Sequence, residues 1–352
     1  MTDFDAGAGG LGLGQAFIVM VTAAMASAFV VGLIRRRAGA LGLVDVPNVR
    51  SSHKVPTPRG GGLGILAGLS FAVVVVHLMA PAALSRNAVS LVGCSLVVGM
   101  VGLIDDRTGL SAKLRLGLHV GSAAILVVST GPLPTLPLPP PFDVAFGSVW
   151  VSVPLTVLWV VAATNFFNFM DGVDALAGGQ AIASCAGAIL AGFSADATGV
   201  AAALGGASAG FLLYNWPPAS IFMGDVGSGS IGFLLGGLPL LAPSQERPAA
   251  LLAVAIGLTF FILDPFLTLL RRALRGEALM RSHREHLYQM LIPAGTSGQR
   301  VTGTLVAGAA LLSVLGAFGY QRTELGWIAV CTSMALFSIE VVCVWRWGRG
   351  NG

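Results

Sequence analysis

One stretch of this sequence places four polar side chains at regular intervals directly after a long apolar run. Asn165, Asn168, Asp171 and Asp174 follow one another at steps of three residues. Residues three apart are neighbours on a helix, so consecutive members of the series can converge. Carboxylate and amide oxygens suit a hard cation such as Mg²⁺, which is often bound together with phosphate. The stretch is therefore a candidate metal–phosphate site, and the alternative is a polar loop between two membrane helices.

A pair of adjacent acids, Asp105 and Asp106, stands at the end of another apolar run. Neighbouring carboxylates repel each other unless a cation lies close by. Lys113 and Arg115 open the next run and can supply that cation. We expect this hairpin to take part in the chemistry, whereas a solvated helix end is the simpler alternative.

A further acid, Asp225, precedes a stretch rich in Gly and Ser, where the pattern predicts the start of a helix. A helix start offers unpaired backbone N–H groups that suit phosphate, and an acid there can hold the metal that phosphate brings. The lysine of a P-loop is missing at this position. Taken alone, Asp225 is as well explained as a helix N-cap.

Two basic loops accompany these acids. The first is framed by prolines and glycines and carries Lys54 and Arg59, which predicts a shaped anion-binding loop. The second contains Arg284 and His286 within a cluster of arginines, and Arg binds phosphate through two parallel hydrogen bonds. The alternatives are the general excess of basic residues on inner loops and contact with anionic lipid headgroups. Asp264, upstream of the second loop, is expected to pair with a basic neighbour.

The composition defines the setting of these residues. The hydrophobic share is 55%, the charged share is 10% and the mean hydropathy is +0.83. A soluble domain carries about twice that charge, so soluble classes are excluded. We expect an all-α polytopic membrane protein of a single domain, residues 1–352, with about eleven transmembrane helices. The predicted helices span 13–34, 61–80, 89–104, 114–130, 150–167, 176–193, 199–214, 227–242, 249–270, 300–319 and 325–345.

The distribution of basic residues predicts the orientation of these helices. With the amino terminus outside and the carboxyl terminus inside, only Arg86, Arg247 and Arg322 fall on the outer side. All other Lys and Arg residues fall on the inner side, as the positive-inside rule requires. The polar loops described above then all face the cytoplasm.

Taken together, these motifs resemble the polyprenyl-phosphate N-acetylhexosamine-1-phosphate transferases (glycosyltransferase family 4) over essentially the whole chain. The matching segments are Pro56-Thr57-Pro58-x-Gly60-Gly61, Asp105-Asp106, Asn165-x-x-Asn168-x-x-Asp171-Gly172-x-Asp174, Phe222-Met223-Gly224-Asp225-x-Gly227-Ser228 and the loop around His286. The resemblance implies transfer of a sugar-1-phosphate from a UDP-amino sugar to polyprenyl phosphate, with release of UMP. This reaction would initiate O-antigen or another cell-envelope glycan at the bacterial inner membrane.

The resemblance also implies roles for individual residues. Asp225 and Asn168 would bind Mg²⁺, with Mn²⁺ as an alternative ion. The residues around the nucleotide would be Asn215, Asp174 and Phe222. The residues near the lipid phosphate and the reacting phosphorus would be Asp105, Asp106, Lys113 and Arg115. Arg284 and His286 would reach the diphosphate or the sugar. Nucleic acid is not among the expected partners, and a homodimer is one alternative for the assembly.

Two departures from the family pattern affect the site. Gly109 stands where several relatives have a third aspartate, which argues against a site of three carboxylates. Tyr288 and Gln289 stand where others have histidines, which predicts a deoxy or diamino sugar such as N-acetylfucosamine. The competing function is a secondary transporter, but transporters place polar residues at mid-membrane in repeated halves. Here the acids lie at inner helix ends, and the two halves of the chain are not related.

Overall fold

The computed structural model describes residues 13–47, 55–79, 84–135, 137–139, 141–142, 144–278, 284–292 and 296–349. Most of this part of the chain is helical. Its α-helices are α1 (Leu13–Arg37), α2 (Gly62–Met79), α3 (Arg86–Thr108), α4 (Ala112–Thr130), α5 (Val149–Met170), α6 (Leu176–Ala191), α7 (Ala195–Asn215), α8 (Asp225–Gly237), α9 (Arg247–Gly257), α10 (Thr259–Leu274), α11 (Leu287–Leu291), α12 (Gly298–Gln321) and α13 (Gly326–Arg349). Two short strands, β1 (Val44–Asp45) and β2 (Thr57–Pro58), pair antiparallel.

The helices follow the sequence prediction closely except in the second half of the chain. The predicted helix 227–242 is α8 followed by a short 3-10 helix, Leu238–Leu241. The predicted helix 249–270 is wrong as a single element, because α9 ends at Gly257 and α10 starts at Thr259. The five-residue helix α11 was not predicted.

In the described part of the chain, seven helices are long and apolar enough to cross a membrane: α1, α3, α4, α5, α7, α12 and α13. An eighth candidate is formed by two segments, Asp225–Leu241 and Ser244–Gly257, which are bent by 120° relative to each other. The shorter apolar helices are α2 and α6. The polytopic all-α class is therefore confirmed, whereas the predicted count of eleven spans is not.

Helix α8 lies at the centre of the fold and positions the acids of the site. Every residue from Val226 to Gly237 is buried, and α8 packs on α2, α3 and α5. Glycine permits this packing, because a Cβ at Gly102 would lie 2.4 Å from the carbonyl oxygen of Asp225. A Cβ at Gly62 would likewise lie 2.3 Å from Cα of Gly227. The starts of α2 and α8 and the end of α3 therefore meet at backbone distance.

The loop before α2 is attached to the segment that precedes α8. Backbone N–H of Phe222 donates to the carbonyl of Pro58 at 2.8 Å, and Gly61 N–H donates to the carbonyl of Phe222 at 2.9 Å. Gly62 N–H continues the ladder to Met223 at 2.9 Å. This pairing places Arg59 beside the amino-terminal end of α8.

Candidate active site

Arg115 connects two acids that are far apart in the sequence. Its Nη1 forms a salt bridge with Asp105 and lies 3.1 Å from Oδ2 of Asp225. The local sequence sets up this contact, because Gly109 ends α3 in a left-handed conformation (φ 68°) and Ser111 caps α4 at Leu114 N–H. The chain therefore reverses within a few residues, and the predicted hairpin of acids and cation is present. Lys113 lies on the exposed side of the same turn.

Asp106 occupies a different environment from its neighbour. Its side chain is fully buried, forms a salt bridge with Arg59, and accepts the backbone N–H groups of Asp225 (3.1 Å) and Val226 (3.3 Å). Asp106 thus caps α8 from another helix. The expectation that these N–H groups are open to phosphate is wrong for this structure, since Asp106 occupies them. The side chain of Asp106 is therefore closed to solvent in this structure, and its part in the chemistry stays a prediction.

Asp225 is the most accessible carboxylate of this group. Its side chain is 28% exposed, compared with 10% for Asp105 and 0% for Asp106. Asn168 lies directly beside it, and its amide hydrogen-bonds to the carboxylate of Asp225 and to Oγ of Ser228 at 2.8 Å. Asp225 is therefore the acid of the group best placed to meet a ligand.

The donor set fits a Mg²⁺ ion that shares its coordination with substrate. Within the described ranges, no three His, Cys, Asp or Glu side chains are grouped closely enough to hold a metal ion. Mg²⁺ commonly binds to one or two protein carboxylates and completes its octahedron with phosphate oxygens and water. One accessible carboxylate beside one amide matches that pattern. A site closed entirely by protein ligands would not match it.

Asp171 directly follows α5, and its carboxyl group lies near the negative charges of Asp225 and Asp106. Burial, together with the carboxylates of Asp225 and Asp106, raises the pKa of Asp171 to about 7. A divalent cation bound nearby would favour the ionised carboxylate and lower this pKa again. The pKa of Asp171 therefore depends on whether a cation is bound near these carboxylates.

Asn215 and Asp174 join the loop after α5 to the loop before α8. Asn215 accepts the N–H of Ala175 at 2.9 Å and donates to the carbonyl of Ile221 at 2.9 Å. Asp174 accepts the N–H of Ala219 at 2.9 Å. The side chain of Phe222, the residue that follows Ile221, is partly exposed. Contact of these residues with the nucleotide stays a prediction, and the two polar groups also hold the loops in place.

Asn165 faces a histidine that the sequence prediction missed. Its Nδ2 donates to the carbonyl of Val161 at 2.8 Å, and its side chain also hydrogen-bonds to His119. His119 is buried in α4, one turn beyond Arg115. That spacing, which places both side chains on one face of α4, could have identified His119. Through its hydrogen bond to His119, Asn165 connects α5 to α4.

The second basic loop is arranged differently from the prediction. Arg284 is exposed, but His286 is only 3% exposed, and its Nδ1 lies 3.3 Å from Asp264. The expected pairing of Asp264 with a basic neighbour is therefore present. Direct contact of His286 with the diphosphate or sugar is not available in this arrangement. Lys54 lies outside the described residues.

Tyr288 is fully buried and does not line an open sugar site. Its hydroxyl donates to the carbonyl of Phe169 at 3.2 Å, and burial raises the pKa of this phenol. A Cβ on Gly172 would lie 2.3 Å from the same hydroxyl, so Tyr288 packs directly against the glycine of the α5 motif. The reason for predicting a 6-deoxy sugar from Tyr288 is therefore lost.

Residues 88–242 match the family model described as glycosyl transferase family 4. The chain is 31% identical over 288 residues to a probable undecaprenyl-phosphate N-acetylglucosaminyl 1-phosphate transferase of Bacillus subtilis, covering 80% of this chain and 78% of that protein. It is 33% identical to decaprenyl-phosphate N-acetylglucosaminephosphotransferase of Mycolicibacterium smegmatis, covering 84% and 80%. It is 28% identical to the undecaprenyl-phosphate alpha-N-acetylglucosaminyl 1-phosphate transferase of Escherichia coli, covering 89% and 86%. None of these names bears on a homodimer, which stays a prediction.

Proposed function

The chain belongs to glycosyl transferase family 4, and from that premise we propose that it transfers N-acetylglucosamine-1-phosphate from UDP-N-acetylglucosamine to a polyprenyl phosphate, releasing UMP. The observation that supports this most is the contact of Arg115 with both Asp105 and Asp225, beside Asn168. This contact brings together a cation (Arg115), an accessible carboxylate (Asp225) and an amide (Asn168). A transporter does not require this arrangement, and the names of the relatives disfavour it.

The proposed donor follows from two observations. The relatives named above act on N-acetylglucosamine according to their names. The departure at Tyr288 is explained by packing against Gly172, so it does not require a different sugar. We expect UMP release to be faster with UDP-N-acetylglucosamine than with UDP-N-acetylfucosamine or UDP-N-acetylquinovosamine, measured in purified protein with undecaprenyl phosphate. Faster release with either 6-deoxy donor would contradict the assignment of the sugar, and no release with any donor would contradict the proposed function.

Mg²⁺ is the cofactor that these residues would hold, with Asp225 and Asn168 as protein ligands. When bound, a divalent cation neutralises charge on the diphosphate of the donor. Arg115 can add to that electrostatic stabilisation, because it already lies against Asp225. The exposed Lys113 and Arg284 are available to attract the phosphates of the two substrates.

The lipid phosphate itself is the best nucleophile for this reaction. An oxygen of the polyprenyl phosphate attacks the β-phosphorus, a new P–O bond forms, and the bond from that phosphorus to the UMP oxygen breaks. A phosphate monoester is largely dianionic at neutral pH, so it needs little help from a base. An enzyme carboxylate is a poor competitor here, since Asp106 is fully buried and Asp105 is already paired with Arg115.

Isotope exchange distinguishes the direct route from a covalent intermediate. A covalent enzyme would exchange labelled UMP into UDP-N-acetylglucosamine without any lipid acceptor. Direct displacement requires the acceptor, so we expect no exchange in lipid-free protein and rapid exchange once polyprenyl phosphate is added. Lipid-free exchange at a rate comparable with turnover would contradict direct displacement and would make Asp105 the candidate nucleophile.

The site is proposed to face the cytoplasm of a bacterial inner membrane. This orientation follows from the basic residues on the loops that carry the site. Single cysteines at Val46 and Glu277, in a background without the native cysteines, should react with a membrane-impermeant reagent in inverted vesicles and not in intact cells. Labelling of either position in intact cells would contradict the proposed orientation.

A further inference from the structure

Asp264, in α10, is a buried acid to which the proposed chemistry assigns no role. Its carboxylate is completely shielded from solvent and accepts the backbone N–H groups of Leu287 (2.9 Å) and Tyr288 (3.2 Å). It also accepts the hydroxyl of Thr268 at 3.1 Å, and its Oδ1 lies 3.3 Å from Nδ1 of His286. Both oxygens of Asp264 are thus committed to the start of α11, which they cap from a different helix.

The contacts of Asp264 continue from α11 to the carboxyl-terminal end of α5. The Tyr288 backbone is held by Asp264, while the Tyr288 hydroxyl donates to the carbonyl of Phe169. The same hydroxyl lies against Gly172, where no larger residue would fit. The ring of His286 lies between those of Phe169 and Tyr288, with centroids at 6.0 and 6.1 Å. One buried carboxylate therefore sets how the second basic loop meets the Asn168–Asp174 segment.

The exposed cation of that loop is only two residues from this anchor. Arg284 precedes His286, and Glu285 between them is itself held, its carbonyl accepting Nη2 of Arg271 at 2.7 Å. Glu285 and His286 directly follow Arg284, and both are held to α10, Glu285 through its carbonyl and His286 through its contact with Asp264. Arg284 lies close enough to Tyr288 for their charges to interact, so its position beside α11 depends on the anchor at Asp264.

We propose that Asp264 is a positioning residue, which holds the loop so that Arg284 reaches the diphosphate of the nucleotide sugar. This inference rests on the proposed transferase function and adds a residue that does not touch substrate. Asp264 acts through the backbone of α11 and through His286, so its effect falls on binding of the donor more than on the chemical step.

Asp264→Asn tests this with little change in shape. An asparagine keeps one acceptor oxygen but turns an NH₂ group towards a backbone N–H that also needs an acceptor. The start of α11 must then move, and displacement of a binding group by about 1 Å can cost as much as a hundredfold in rate. We expect the KM for UDP-N-acetylglucosamine to rise about tenfold or more, with a much smaller change in kcat at saturating donor.

Asp196→Asn provides the control. Asp196, in the first turn of α7, also accepts a backbone N–H, that of Ser85 at 2.9 Å, and it lies on a different helix from α10 and α11. The same acid-to-amide change there removes no anchor of the loop. We expect donor KM and kcat within about twofold of wild type, which is the scatter of a substitution that breaks no such contact.

A second readout separates positioning from general loss of structure. A cysteine replacing Arg284, in a cysteine-free background, should react faster with a soluble thiol reagent after Asp264→Asn than after Asp196→Asn, while the melting temperatures stay close. An unchanged donor KM in folded Asp264→Asn would overturn the proposal, as would a fall in kcat alone or an unchanged labelling rate. Absence of any transferase activity in wild-type protein would instead refute the proposed function, so the two failures are distinguishable.

Discussion

Replacing Asp225 by asparagine should lower kcat by about a thousandfold or more while leaving the fold intact. The substitution keeps an oxygen at the position but removes the charge of Asp225, which is more accessible than Asp105 and Asp106. Loss of one well-placed electrostatic group commonly costs about a hundredfold to a thousandfold, and this one would also weaken binding of a divalent cation. The measurement is turnover of purified protein across a range of Mg²⁺ concentrations.

Asp196→Asn is a suitable control for this variant. Asp196 also stands in the first turn of a helix, α7, and it accepts the backbone N–H of Ser85 at 2.9 Å, away from the acids of the site. The Asp196→Asn variant should retain near-normal turnover. Near-normal turnover of Asp225→Asn at ordinary Mg²⁺ would show that Asp225 does not hold the metal.

Replacing Asp106 by alanine should impair both stability and activity, unlike any change at an exposed acid. The substitution leaves Arg59 without its ion-pair partner and leaves the N–H groups of Asp225 and Val226 without an acceptor. Removing one partner of a buried ion pair costs about 3 to 5 kcal/mol. The lower end, about 3 kcal/mol, is expected because Arg59 remains 30% exposed. Activity should fall as well, because Asp225 begins the helix that Asp106 caps.

Thermal unfolding in detergent, combined with turnover, tests the different roles of the two adjacent acids. Asp105 pairs with Arg115 and accepts Leu110 N–H, at a more exposed position than Asp106. Asp105→Ala should therefore lower turnover with a smaller change in melting temperature than Asp106→Ala. If Asp106→Ala left the melting temperature unchanged and reduced only turnover, the capping role would be wrong and direct contact with substrate would be favoured.

The sequence predicted the helical class and most helix positions, because apolar runs of membrane length carry a strong signal. It did not locate the break between α9 and α10. The break falls at Leu258, an apolar residue inside a long apolar run, so hydropathy does not mark it. The count of eleven spans stays unconfirmed for a related reason: α9 has only 11 residues and continues a segment bent by 120°.

Which residues lie together in the candidate site was predicted more accurately than the contacts that each of them makes. The hairpin that joins Asp105 to Arg115 follows from their spacing, and so does the convergence of polar groups at helix ends. The different environments of Asp105 and Asp106 could not be predicted, because they depend on which side of α3 faces the start of α8. The anchoring role of Asp264 was likewise hidden, since its backbone partners at Leu287 and Tyr288 lie more than twenty residues away.

Transfer of the β-phosphate tests the proposed reaction most directly. Purified protein should be incubated with Mg²⁺, undecaprenyl phosphate and UDP-N-acetylglucosamine labelled in the β-phosphate, and the lipid and nucleotide products identified. We expect label in a lipid diphosphate that carries N-acetylglucosamine, with UMP as the nucleotide product, and transfer about a thousandfold slower or more with Asp225→Asn. Label retained in UDP, with the sugar alone on the lipid, would contradict it.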